Sequence, residues 1–358
     1  MKLLLLTAAV LVHAAAGVPA PVPPTMTVAY KSGFDPHCGT PFKCVKTKVI
    51  KTPKPEAGEV LVAVASSSVN PCDVDYLEFG LGCSGGGGVL GMDVAGTVIA
   101  VGAGCKRLKV GDKVWADTGS AKGDSGGMAQ FSVLTEAQTG IAPTTLNLTE
   151  AGTIPLAGLT ALEMWQKVAE ASPGGAIPPN LTMVVTAGTG GTGFIGLQLG
   201  KKVYLARTLI TSTSGAADIA LAKLWGADVV VDYKVQDDVF AKLADNSVDV
   251  VFDNYGEKGV SDKAQRVLKP GGIYIILPGG GGGSISKKPK KGVKQINFGY
   301  TSSSSHEPLD ELAAHFNQGR VVAHIFQQVP LSNAAEAFVL SKSGDVCGKV
   351  AVVPDALL

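Results

Sequence analysis

Thr182-Met183-Val184-Val185-Thr186-Ala187 is a short apolar, β-branched run that passes without a spacer into Gly188-Thr189-Gly190-Gly191-Thr192-Gly193. Residues 194–202 then read as a helix. A strand, G-x-G-x-x-G spacing and a helix, in that order, constrain this chain more than any other feature. The glycines permit a tight turn and let backbone approach a pyrophosphate. The helix adds unsatisfied N–H groups at the positive end of its dipole. The plainer alternative is a glycine-rich loop with no ligand, because the motif alone is weak in a chain with 46 glycines. The flanking strand and helix favour Gly188, Gly190, Gly191, Thr192 and Gly193 as a dinucleotide-binding turn.

The alternation continues downstream. Strands at 209–211, 229–231, 248–252 and 272–277 are separated by helical spacing at 217–225, 235–243 and 258–268. That rhythm predicts an α/β domain with a doubly wound parallel sheet of the Rossmann type. Before it, from about residue 25 to 131, short β-branched runs such as 59–65 and 94–101 are punctuated by turns, so a mostly β domain is expected there. With 358 residues the chain exceeds the roughly 250–300 at which one core stops growing, so two domains are expected. A helix at 309–316 and a strand at 349–353 are read as a return to the first domain. Residues 82–88 and 119–127 are glycine-rich loops, and the lysines of 287–291 are read as a solvated surface.

An NAD site usually places an acid at the end of the second strand, where it holds the ribose 2′-hydroxyl. Here that place is Thr211-Ser212-Thr213-Ser214-Gly215, with no carboxylate. Small hydroxyl side chains leave room for a 2′-phosphate and can donate to it, so the expected cofactor is NADPH. Asp218, close by, argues the other way.

A net charge of +1 gives no field to gather nucleic acid or an anionic membrane, and neither is expected as a partner. The N-terminus reads as a signal peptide at 1–16. It has Lys2, an apolar run at 3–12 too short for a bilayer of about 30 Å, and Ala14-Ala15-Ala16, before a Pro-rich spacer at 17–25. The destination read from it is the secretory pathway, either secreted or in the lumen of the ER or vacuole, with no membrane association after cleavage. In an oxidising lumen the 6 cysteines can pair in several ways, of which Cys38 with Cys44 is the most local.

Further blocks carry a resemblance. They are 55–62, Ser68-Val69-Asn70-Pro71-Cys72-Asp73, Gly91-Met92-Asp93-Val94-Ala95-Gly96, 110–114, Leu159-Thr160-Ala161, 187–193, 226–233 and Gly348-Lys349-Val350. In this order they resemble the medium-chain dehydrogenase/reductase superfamily, in its zinc-free quinone oxidoreductase branch, from about residue 26 to 354. The resemblance implies a GroES-like substrate domain at 26–152, a Rossmann domain at 153–300, and a return at 301–358 to the first, with a cleft between them. It places Asn70 and Thr160 near a nicotinamide, and Ser214 and Tyr233 near a 2′-phosphate. It implies a homodimer and a small-molecule substrate. Relatives often carry Lys where this chain has Asp218, and Tyr where it has Asp75, with Tyr76 one place later.

A catalytic zinc needs three protein ligands from Cys, His or carboxylate. At the family's ligand positions this chain offers Cys72 but also Met92 and Thr160, so no metal site is expected. The expected chemistry is hydride transfer from NADPH to a quinone or an α,β-unsaturated carbonyl. Asn70 or Tyr76 would donate a hydrogen bond to the oxygen that gains charge. The alternatives are a non-catalytic, crystallin-like NADPH-binding protein and a zinc-type alcohol or carbonyl dehydrogenase.

Overall fold

The computed structural model describes residues 21–33, 37–80, 88–119, 125–236, 238–278, 281–299 and 303–357. The expected signal peptide at 1–16, the first part of the spacer, 17–20, Cys83 and most of both glycine-rich loops lie outside them.

The first half is built from short strands. β1 (Thr25–Lys31) and β2 (Val45–Lys51) form an antiparallel pair. β3 (Glu59–Ser68), α1 (Pro71–Phe79), β4 (Asp93–Val101), β5 (Lys113–Asp117), β6 (Phe131–Thr135) and β7 (Gly140–Ile141) follow. α1 begins at Asn70-Pro71, where proline's fixed φ and missing N–H suit the first turn. Gly80 closes it in the left-handed region.

The period then changes. Two helices come first, α2 (Leu148–Ala151) and α3 (Pro155–Ala171), the second opening on Pro155 in its first turn. Gly158 does not break α3. It lets another helix approach, since a Cβ there would sit 2.5 Å from Leu312 Cδ2.

β8 (Thr182–Val185), α4 (Gly191–Lys202), β9 (Thr208–Thr213), α5 (Ala216–Leu224), β10 (Val229–Asp232), β11 (Val248–Asp253), α6 (Val260–Val267), β12 (Leu268–Ile276) and β13 (Lys294–Asn297) build the second half. Its sheet has six parallel strands in the order β10-β9-β8-β11-β12-β13. The order reverses beside β8, the topological switch point at which such sheets open a crevice.

The helix expected at 235–243 is not present. Its described residues form turns, with Gln236 N–H on Asp232 O and Leu243 N–H on Phe240 O. The Asp238 carboxylate accepts from Phe240 N at 2.8 Å, a local bond that competes with helix, while Val239 and Phe240 are both buried in the core beneath.

The chain ends with α7 (Glu307–Asn317), β14 (Ile325–Pro330), α8 (Ala334–Ser343) and β15 (Lys349–Val353). β14 and β15 join the first sheet, in the order β14-β15-β3-β4-β5-β7 with β6 on β3. β15 pairs antiparallel with the end of β3, Ala351 opposite Ser68. The chain's last strand therefore lies beside the residues that lead into Asn70. The largest core joins α3, α4 and α7 to β8, around the buried Trp115, Trp165, Phe194 and Phe316. Cys38 and Cys44, the most local of the open pairings, form a disulfide.

Candidate active site

The turn after β8 has the geometry its sequence demands. Gly188 N–H donates to Ser212 O, and a Cβ on Gly188 would lie 1.9 Å from Thr211 Oγ1. A Cβ on Gly193 would lie 2.3 Å from Ala187 O, so α4 can dock on the turn only through glycine. Gly190 is the N-cap of α4 and has no side chain to satisfy the helix's first N–H groups. A Cβ there would meet only Ala187 O, at 3.3 Å. The mouth of the turn is therefore an open cradle of unsatisfied donors beside a helix N-terminus, which fits a dinucleotide's pyrophosphate.

Ser214 follows β9 and is half-buried. Tyr233 follows β10, is 45% exposed, and bonds through its N–H to Thr213 O. The two stand side by side at the carboxyl ends of adjacent strands. Thr189, unmarked in the sequence reading, is buried, with its Oγ1 2.5 Å from Thr213 Oγ1. Asp218, at the start of α5, lies close enough to Cys347 and His324 of the C-terminal return to act on them electrostatically. Burial first, and Asp218 second, push the Cys347 thiol up to about 12.

Asn70 sits in a sealed polar group at the other wall. Its Nδ2 donates to Asp93 Oδ2 at 2.8 Å, and its Oδ1 accepts from Lys349 Nζ at 2.5 Å. Asp93 Oδ2 also accepts from Ser68 Oγ at 2.5 Å, and Asp93 Oδ1 accepts from Leu156 N at the start of α3, 2.7 Å away. Asp73 Oδ2 accepts from Asn70 N at 2.9 Å. Burial pushes the Asp73 carboxyl up to about 8; the bond from Asn70 N–H opposes this and the neighbouring Asp93 adds to it.

Two contacts close this wall onto the turn. Gly348 N–H donates to Thr189 O at 2.7 Å, and a Cβ on Gly191 would lie 2.9 Å from Lys349 Cδ. The candidate catalytic residue Asn70 and the cofactor turn thus meet at the C-terminal return.

Thr160 is buried one turn into α3 from Leu156, and its Oγ1 donates to Leu156 O at 2.7 Å. Tyr76 has a different neighbourhood from Asn70. Its ring packs on the core between α1 and α8, with Lys31 Nζ 5.4 Å from the ring centroid. Asp75, on the same helix, has its carboxyl raised by burial, with Lys342 of α8 opposing the shift. Ser68, Asp73, Asp93 and Lys349 escaped the sequence reading as functional residues. Their one signal was membership of the quoted blocks, because Lys349 lies 279 positions from Asn70.

Comparison with known proteins places this architecture. Residues 56–153 match the family model described as alcohol dehydrogenase GroES-like domain, and residues 225–352 match the one described as zinc-binding dehydrogenase. The chain is 31% identical to the chloroplast envelope quinone oxidoreductase homolog of Arabidopsis thaliana, over 85% of this chain and 92% of that protein. It is 30% identical to the chloroplastic NADPH-dependent alkenal/one oxidoreductase of the same plant, over 85% of this chain and 74% of that protein. The crystal structure of Escherichia coli quinone oxidoreductase complexed with NADPH shares the fold, with a TM-score of 0.75 at 21% identity, covering 92% of this chain and 100% of the other.

The fold defines a two-domain dehydrogenase/reductase, a GroES-like unit joined to a Rossmann sheet. The chain belongs to the medium-chain dehydrogenase/reductase superfamily, in its quinone oxidoreductase branch.

The zinc in one family description would need three donors, and at two of the positions the resemblance assigns to zinc ligands this chain has Met92 and Thr160. Met92 and Thr160 are both buried, and the Asp93 carboxylate, next to Met92 in the chain, is taken up by Ser68, Asn70, Leu156 N–H and Lys349. Among the described residues no three His, Cys, Asp or Glu side chains converge to hold a metal ion. The secretory destination is corrected by the relatives. Both plant proteins carry a chloroplast designation, which points to a plastid rather than to the secretory pathway. An N-terminal extension is compatible with either route, which is why the segment misled.

Proposed function

We propose that this protein reduces quinones and α,β-unsaturated carbonyls with NADPH and uses no metal in the reaction. The reading rests on one observation: the open glycine cradle before α4 is joined, through Gly348 and Lys349, to a buried polar wall that carries the Asn70 carboxamide. Relatives named for quinone and alkenal/one reduction support it.

In this reading the units at 26–152 and 301–358 hold the substrate and the unit at 153–300 holds the cofactor. Gly188, Gly190, Gly191, Thr192 and Gly193 cradle the pyrophosphate, while Ser214 and Tyr233 flank the adenosine 2′-phosphate. NADPH, when bound, supplies the hydride from its nicotinamide C4. Asn70 commits one Nδ2 hydrogen to Asp93 and offers the other to the substrate oxygen as charge develops there. Thr160 shapes the wall, since its hydroxyl is spent within α3. Tyr76 stands on α1 as the second candidate donor.

The test is NADPH oxidation by the purified protein across a panel of quinones and enones, with NADH in parallel. Turnover of at least one class with NADPH preferred is expected. Tight NADPH binding with no turnover of either class would leave a cofactor-binding protein instead.

A further inference from the structure

The proposed mechanism uses Asn70 but leaves the buried cation beside it unexplained. Lys349 is the first residue of β15, and its side chain is 4% exposed. Its Nζ donates to Asn70 Oδ1 at 2.5 Å and to Val69 O at 3.2 Å, and lies 3.5 Å from Asp93 Oδ2. Its stem runs beneath the cofactor turn at Gly191. A lysine is rarely buried without a partner, and here every partner belongs to the segment that carries Asn70 or to the carboxylate that holds it.

A carboxamide is nearly symmetric in shape but opposite in chemistry at its two ends, so rotating it by half a turn exchanges donor for acceptor. An ammonium can pair only with the oxygen end, and a carboxylate only with the nitrogen end. Lys349 and Asp93 stand at those two ends of Asn70. We propose that Lys349 is a positioning residue: from beneath the Gly191 turn it fixes the Asn70 carboxamide with its nitrogen toward Asp93 and the substrate, and so ties the donor's orientation to the cofactor-binding element. The inference rests on the catalytic reading of Asn70 given above.

The experiment compares Lys349→Met, Lys349→Arg, Asn70→Ala and the Lys349→Met/Asn70→Ala double variant of the full chain. The substrate is a quinone or enone that the wild type accepts. Lys349→Met is expected to lower kcat about thirtyfold with the KM for NADPH within about threefold, and Lys349→Arg to restore most of the loss. The double variant is expected to be no slower than Asn70→Ala alone, because the lysine acts through that residue. A loss that falls on the NADPH KM with kcat held, or one that multiplies with Asn70→Ala, would overturn the proposal.

A second readout needs no turnover. The Asn70 side-chain amide resonances, identified by their loss in Asn70→Ala, should exchange with solvent about tenfold faster in Lys349→Met and at the wild-type rate in Lys349→Arg. Equal protection in all three lysine forms would sink the idea. Should the wild type reduce neither substrate class, the functional reading fails while this arm still decides the positioning role. If Lys349→Met does not fold, Lys349→Gln, uncharged and shorter, takes its place with the same expectations.

Discussion

The Asp93 carboxylate holds the Asn70 carboxamide at 2.8 Å, and both side chains are almost wholly excluded from solvent. A donor preorganised in a dry site needs no reorganisation when charge appears on the substrate. Asn70→Ala should therefore lower kcat by about a hundredfold with little change in the dissociation constant of NADPH. Steady-state kinetics with a parallel binding titration checks this. Turnover at the wild-type rate would remove Asn70 from the mechanism.

The glycines of the turn divide into those whose missing Cβ the fold needs and one, Gly190, where a Cβ has room. Gly190→Ala introduces a Cβ that meets only Ala187 O at 3.3 Å, in a backbone with φ of −71° that alanine adopts freely. Its stability should stay within about 0.5 kcal/mol of wild type while NADPH affinity falls at least about tenfold. Gly188→Ala drives a Cβ into Thr211 and should lose about 1–3 kcal/mol of stability as well. Thermal melts and calorimetric titration of both variants separate the two effects.

Ser214 stands where a carboxylate would favour NADH. Ser214→Asp places a negative charge beside the 2′-phosphate and should cut kcat/KM with NADPH by about ten- to a hundredfold, leaving that with NADH nearly unchanged. Equal losses with both cofactors would mean that Ser214 does not face the 2′ position.

Asp73 gives stability a pH dependence. Its folded pKa of about 8 lies above the ordinary 3.8, so the folded state holds a proton that the unfolded chain has released throughout that interval. Its favourable contribution is complete below the unfolded value and is lost as pH rises through the folded one. Between about pH 4 and 8 the group should cost up to about 1.4 kcal/mol per pH unit. Asp73→Asn keeps an oxygen to accept from Asn70 N–H and removes the titration. Denaturant melts of the variant should show a shallower decline with pH than the wild type over that range, and parallel profiles would refute the assignment.

The cofactor half was the more legible half. Gly188 to Gly193 announces its conformation because steric demands on a tight βα turn act between near neighbours, and the alternation of β8, α4 and β9 writes itself as local periodicity. The turns at 235–243 were misread because Val239 and Phe240 bury side by side, with Asp238 capping locally, which no helical period describes. The secretory reading failed for a different reason: an N-terminal apolar segment reports an address whose reader the chain does not specify.

What the sequence by itself determined is therefore the tight glycine turn between β8 and α4 and the absence of an acid at the end of the second strand. What only the tertiary structure decided is the polar wall. Lys349, Asp93 and Asn70 are scattered along the chain, and they meet because β15 returns to pair with β3 while α3 presents Leu156 N–H to Asp93. A buried charge is stable only beside its partners. Those partners are chosen by the packing of distant strands, and that choice leaves no local trace in the sequence.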